Sequence, residues 1–351
     1  MTNRLLESLS IPHPIIQAPM AGGITTTELV TAVSEAGGLG MIGAGYLNAE
    51  STRHQIREVK ASTDKPFGIN LFVPSPYKEG KDAIARAQQS LKPFLDKLGS
   101  TIMGSGFISY EQTIEIYHKQ VDVIIEEKVP VCSFTFGMPS SVVINSLKQA
   151  GTFIIGTATT LSEALAIEAA GMDAVVLQGS EAGGHRGNFL AGVEQSMIGL
   201  MALIPQTVDQ VNIPVIAAGG IMDRRGVRAA RCLGAQAAQL GTAFLTCKES
   251  GANPLHKQAI LEGQQEDKTT LTKAFSGKAA RGIENDFIRE MREVETELPE
   301  FPIQNTLTKP IRSAAAQNND RNMMSLWCGQ NPNLAEPITA KELVHKLVDE
   351  E

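Results

Sequence analysis

The chain has 351 residues, of which 42% are hydrophobic, 5% aromatic and 20% charged, with a formal net charge of -7 and a pI near 5.5. That balance is the soluble globular average and excludes a disordered chain, while the acidic sign and scarce aromatics argue against a nucleic-acid binder that neutralises phosphates or stacks bases. No stretch approaches the roughly 18 uninterrupted apolar residues a membrane span needs, and charges and prolines break up the N-terminus before a secretory apolar region forms, so a cytoplasmic protein is expected.

Taken in chain order, short β-rich runs occur at 15–18, 39–42, 67–72, 129–134, 153–157, 174–177, 215–217 and 237–240. Helical patterns follow several of them, including 26–35, stopped by Ala36-Gly37-Gly38, and 161–170, ended by Gly171. Another begins at the N-cap candidate Asp223 and runs to Leu233 before Gly234. Repeated βα units of this kind predict an α/β fold, a (β/α)8 TIM barrel. The glycine fingerprint that a doubly wound dinucleotide fold carries at its first strand is absent.

Residues 74–128 are too long for one helix and hold two helical patterns, 83–98 and 111–127, which predicts a helical insertion after the third strand plus the barrel's own helix. The expected organisation is a barrel core over 1–250, with that insertion, and a C-terminal segment over 251–351 that packs on the barrel. The latter is polar and irregular before an amphipathic helix at 339–350, with too little apolar periodicity for a core of its own. Cys132, Cys232, Cys247 and Cys328 are widely separated, so neither a disulfide framework nor a metal site is expected.

The chemistry gathers at strand ends. The apolar run Val175-Val176-Leu177 stops at Gln178 and gives way to Gly179-Ser180-Glu181-Ala182-Gly183-Gly184-His185-Arg186-Gly187, a flexible turn carrying one histidine. In a parallel barrel the carboxyl ends of the strands are where sites form, which makes His185 the leading candidate. Arg186 and Glu181 are weaker ones, since loop charges are usually solvated. After the seventh and eighth strands come Ala218-Gly219-Gly220 and Gln239-Leu240-Gly241-Thr242, loops that lie side by side in a barrel and can offer bare backbone amides to a phosphate. Gln17-Ala18-Pro19-Met20 closes the first strand, while Asn70 and Gln178 supply carboxamides that can read a heteroaromatic edge.

These segments together resemble the nitronate monooxygenases. The likeness runs in order through roughly the first 250 residues and continues in Ser276-Gly277-Lys278-Ala279-Ala280-Arg281-Gly282 and Leu326-Trp327-Cys328-Gly329-Gln330. The resemblance implies FMN held by Ala18, Pro19, Met20, Asn70, Gln178, Gly183, Gly184, Gly219, Gly220, Gln239, Leu240, Gly241 and Thr242, with His185 catalytic. It also implies alkyl nitronates, such as propionate 3-nitronate, oxidised with O2 to carbonyl compounds and nitrite by a monomer or homodimer. His185 would either stabilise the anionic nitronate as a donor or abstract the α-proton of a nitroalkane as a base. Asn331-Pro332-Asn333 departs from the small residues that often follow the tryptophan segment, which bears on the substrate lid rather than the flavin site. Trp327 is read either as a closure over the pocket or as a packing anchor.

Rival readings are an FMN-dependent enoyl-thioester reductase using NAD(P)H and a non-catalytic flavin-binding barrel. A nucleotide dehydrogenase of the IMP type lacks its nucleophile, because no cysteine lies between Gly179 and Pro214.

Overall fold

The computed structural model describes residues 3–77, 80–101, 107–262 and 269–348, so 78–79 and 102–106 of the expected insertion and 349–350 of the expected terminal helix lie outside the described residues. In chain order the strands are β1 (Ile15–Gln17), β2 (Gly40–Gly43), β3 (Phe67–Phe72), β4 (Val131–Thr135), β5 (Phe153–Ala158), β6 (Ala174–Gln178), β7 (Gly184–His185), β8 (Val215–Ala218), β9 (Ala237–Leu240), β10 (Thr269–Thr272) and β11 (Ala280–Ile283). Eight of them pair in parallel in the order β1-β9-β8-β6-β5-β4-β3-β2. The ring closes between β1 and β2 through the Ile16–Leu39 bridge, and Gln17 reinforces the seam with its side-chain Oε1, which accepts from Met41 N at 3.0 Å. This is the TIM barrel that the repeated βα pattern predicts.

Strand alternation sorts the side chains. Ile42, Ile69, Cys132, Phe134, Ile154, Val175, Leu177 and Val215 face outward into the helical layer. Ile16, Met41, Val131, Ile155, Val176 and Ile216 fill the interior. A helix at Arg4–Leu9, which the sequence reading did not anticipate, adds Leu5 and Leu9 to that interior cluster. Asn3 fixes it by accepting from Leu5 N and Leu6 N and donating to Gln236 O at 2.8 Å. The amino-terminal end of the barrel is thereby closed, while at the carboxyl end the same inward parity continues into Asn70, Ser133, Gln178 and Gln239.

Helix limits follow their caps. Thr26 accepts from Leu29 N to start Thr27–Glu35, Thr160 starts Leu161–Ala169, and Asp223 accepts from Gly226 N to start Arg224–Cys232. β4 begins two residues later than expected because Lys128 adopts φ 49° and Val129 N still bonds Ile124 O, completing the end of helix Tyr110–Glu126.

Past the barrel strands, β10 and β11 form an antiparallel pair, and β11 also pairs antiparallel with β7, so chain from beyond residue 251 reaches into the barrel mouth. Helix Lys81–Leu98, within the expected insertion, buries Leu91, Phe94 and Leu95 in a cluster with Phe275, Phe287, Ile303, Leu307 and Ile311. That cluster is separate from the barrel's own and is drawn mostly from residues beyond 251, so the C-terminal segment has more of a core than its sequence pattern suggests, and it shares that core with this helix. Among the described residues no helix is long and apolar enough to cross a membrane.

Candidate active site

The carboxyl ends of the strands open on a cavity of about 220 Å³. Ala18, Pro19, Met20, Asn70, Gln178, Gly183, Gly184, His185, Gly219, Gly220, Gln239, Gly241 and Thr242 all line it. Leu240 does not: its inward neighbour is Gln239, so its own side chain is buried in the outer core, and its carbonyl accepts from Ala18 N at 2.8 Å. Leu240 therefore contributes backbone, not a cavity wall.

One end of the cavity is built of bare backbone. Gly219 and Gly220 have φ of 137° and 63°, conformations that disfavour side chains, and their N–H groups find no acceptor among the described residues. A Cβ on Gly241 would meet only Ala18 Cβ, at 3.6 Å, so this loop leaves open space beside it. Unpaired amides next to side-chain-free space are suited to a phosphate. Towards the middle, Asn70 Nδ2 donates to Ser133 Oγ at 2.8 Å and Thr135 Oγ1 at 3.1 Å, which leaves Oδ1 as an acceptor for a ligand edge. Gln178 spends much of its amide on its own turn: Nε2 donates to His185 O at 3.0 Å and Oε1 accepts from Gly187 N at 2.8 Å. These residues fit the phosphate and polar ring edge of a flavin mononucleotide.

The other end is aromatic and cationic. His185 is not in a free loop as the sequence suggested but sits in β7, opposite Ala280 of β11. Its ring lies 5.5 Å from Trp327, 5.9 Å from Phe136 and 6.0 Å from Phe301, centroid to centroid. Its Nε2 is 2.8 Å from Ser276 Oγ. Burial, then the charges of Lys278 and Arg312, push its pKa down from 6.5 to about 3, so the imidazole is neutral at physiological pH. Lys278 Nζ stands 4.9 Å from the Phe136 centroid, and Arg312 Nη2 donates to Asn305 O at 2.7 Å. Neither cation forms an ion pair among the described residues.

Arg186 and Glu181 are not the solvated charges that loop residues usually are. Arg186 is wholly buried and donates to the carbonyls of Gly179 (2.6 Å), Ser196 (2.6 Å) and Gln178 (3.1 Å), holding the turn behind the histidine. Glu181 Oε1 accepts from Leu200 N at 2.8 Å, and its carbonyl accepts from Gln330 N at 2.9 Å. The tryptophan segment is both closure and anchor. Trp327 lines the cavity, pairs with Gly282, and its carbonyl lies 2.9 Å from His256 Nε2. His256, passed over in the sequence, is buried, and Asn331, where the sequence departs from the family pattern, lines the cavity and donates to Gly220 O at 3.4 Å. Sequence reasoning also gave no role to Ser276, Lys278, Phe301 or Arg312. The only signal for the first two was their place in a segment recognised by resemblance.

The family model for nitronate monooxygenase matches residues 3–350. A probable nitronate monooxygenase of Staphylococcus haemolyticus (strain JCSC1435) is 49% identical over 352 residues, which is 99% of this chain and 96% of that one. Among solved structures, a nitroalkane oxidase from Streptomyces ansochromogenes matches with a TM-score of 0.90 at 40% identity, covering 98% of this chain and 96% of that one. FabK from Thermotoga maritima matches with a TM-score of 0.76 at 34% identity, covering 99% and 95%.

Proposed function

The chain belongs to the nitronate monooxygenase family and is an oxidoreductase, and from that premise we propose that it uses FMN and O2 to oxidise alkyl nitronates to carbonyl compounds and nitrite. The observation that carries the reading is that, among the described residues, one cavity has glycine amides without acceptors at one end and, at the other, a neutral histidine near two cations that form no ion pair. The Gly219–Gly220 and Gly241–Thr242 loops would hold the phosphate, and Asn70 Oδ1 would meet a donor on the ring edge. FMN, when bound, supplies the redox chemistry that these side chains lack.

The protein's own contribution is binding, charge and exclusion of water. A nitronate arrives as an anion, and Lys278 and Arg312 supply the positive field that attracts it. His185 does not, because it carries no charge in the free site. Phe136, Phe301 and Trp327 enclose the substrate end, which strengthens those charges by keeping the site dry. An anionic substrate would also offset the two cations that depress His185, raising the affinity of the imidazole for a proton once substrate is in place.

The test is the purified protein's visible spectrum together with a His185→Ala variant. Expected are an oxidised flavin spectrum, release of FMN on heating, and a variant that keeps the flavin but loses about 100-fold or more in nitrite formation from a neutral nitroalkane. A colourless protein that FMN cannot reconstitute would overturn the reading.

A further inference from the structure

The hydrogen-bond geometry around Ser276 fixes which nitrogen of His185 carries the proton. Ser276 lies in the turn between β10 and β11 and is 1% exposed, so bulk water does not compete for its hydroxyl. Its Oγ has three polar neighbours: Lys278 O at 3.0 Å, Lys278 N at 3.3 Å and His185 Nε2 at 2.8 Å. A hydroxyl has one proton to give. The Lys278 carbonyl can only accept, and no other donor to it occurs among the described residues, while the Lys278 N–H can only donate. The hydroxyl proton therefore goes to the carbonyl, and Oγ is left as an acceptor. The contact with His185 can then be a hydrogen bond only if Nε2 is protonated. In a neutral ring that leaves Nδ1 as a lone pair, and Nδ1 has no hydrogen-bond partner among the described residues.

We propose that Ser276 is a positioning residue that locks His185 in the Nε2–H tautomer, so that the nitrogen left without a partner among the described residues is the acceptor Nδ1. The inference rests on the nitronate reading for its kinetic consequence, though not for the tautomer itself. A lone pair cannot donate to the oxygens of a nitronate. It can take an α-proton from a neutral nitroalkane: the C–H bond breaks, its electron pair moves toward the nitro group to give the nitronate, and the proton ends on Nδ1. The imidazolium so formed keeps its Nε2–H on Ser276 Oγ, now as a stronger, charge-assisted bond. The groups facing this ring are Phe136, Phe301 and Trp327, with Lys278 and Arg312 as the charged neighbours. Among the described residues none of these supplies an acceptor that would favour the other tautomer. A preformed nitronate bypasses the proton transfer, so Ser276 matters for one substrate class and not for the other.

The experiment uses the FMN-loaded full chain with ¹⁵N-labelled histidine. In the wild type the His185 signals should show Nε2 protonated and Nδ1 in the lone-pair range. Ser276→Ala should shift both towards the averaged values of an exchanging pair, and Ser276→Thr, which keeps the hydroxyl, should restore the wild-type pattern. In parallel, kcat/KM for nitroethane should fall about 10-fold or more in Ser276→Ala and recover in Ser276→Thr, while ethyl nitronate turnover stays within about two-fold. Flavin content and thermal unfolding report whether the variants are folded. A wild-type signal with Nδ1 protonated overturns the proposal whatever substrate turns over, as does a Ser276→Ala variant that loses both substrates equally while its histidine signals stay unchanged. A wild type that makes nitrite from neither substrate but shows the Nε2–H signal would refute the nitronate reading and leave the tautomer standing.

Discussion

A Cβ placed on Gly183 would stand 2.5 Å from the carbonyl carbon of Cys328, closer than side chains approach backbone. The cavity wall after β6 and the segment around Trp327 are thus in direct backbone contact. Three further bonds tie that segment down: Cys328 N to Arg281 O (3.2 Å), Gly329 N to Thr242 Oγ1 (3.0 Å) and Gln330 N to Glu181 O (2.9 Å). Gly183→Ala should displace the segment, costing about 1–3 kcal/mol of stability and weakening FMN retention. Thermal unfolding and flavin titration check this. An alanine variant with unchanged midpoint and flavin affinity would show that the contact has slack.

Lys278 should control the charge state of His185. Burial is the larger cause of the depressed histidine pKa, and Lys278 the next. Removing a positive neighbour makes the protonated ring less unfavourable, so Lys278→Met should raise the pKa from about 3 towards, but not to, the ordinary 6.5. The same substitution should weaken capture of anionic nitronates, seen as a raised KM. Histidine NMR titration gives the first readout and steady-state kinetics the second.

Behind the site, Glu163 is fully buried, and its carboxylate accepts from Thr159 N and Oγ1 (both 2.7 Å), Phe189 N (2.6 Å), Leu190 N (2.9 Å) and Ala191 N (3.3 Å). Burial alone would raise its pKa, but the hydrogen bonds prevail and hold it below 4.5. Its contribution to stability is therefore complete above the unfolded glutamate value and is lost as pH falls through the lower folded value. Glu163→Gln should cost about 1–3 kcal/mol at neutral pH, with the gap to wild type narrowing as the solution is acidified. Denaturant unfolding at neutral and acid pH separates this from a pH-independent loss.

The neighbours Arg186 and His185 should fail in opposite ways. Arg186→Met strips three buried carbonyls of a donor, at about 1–3 kcal/mol for each group left unpaired, and should lower the unfolding midpoint sharply. His185→Ala should leave the midpoint close to wild type while turnover of neutral nitroalkanes collapses. Equal loss of stability in the two variants would contradict this division.

The barrel could be read from the chain because its strands are apolar runs with glycine-punctuated helices between them, a local pattern. Asn70 and Gln178 stood out because a carboxamide within an apolar strand, or closing one, breaks that pattern. The three-stranded sheet holding His185 was invisible, since Thr269–Thr272 and Ala280–Ile283 show no clear alternation and Gly184–His185 is too short to register as a strand. Ser276 is 91 residues from His185, and only the fold brings them together. Lys278 and Arg312 drew no role from the sequence because it does not show which charges the fold brings to the cavity. Leu240 was included with its loop although strand parity turns its side chain away.

The central claim is tested most directly by measuring nitrite from a preformed alkyl nitronate, under air, with the purified FMN-loaded enzyme and no reduced nicotinamide. The expected result is nitrite and the matching carbonyl compound, with oxygen consumed. Absence of nitrite, together with NADH oxidation driven by a crotonyl thioester, would contradict it.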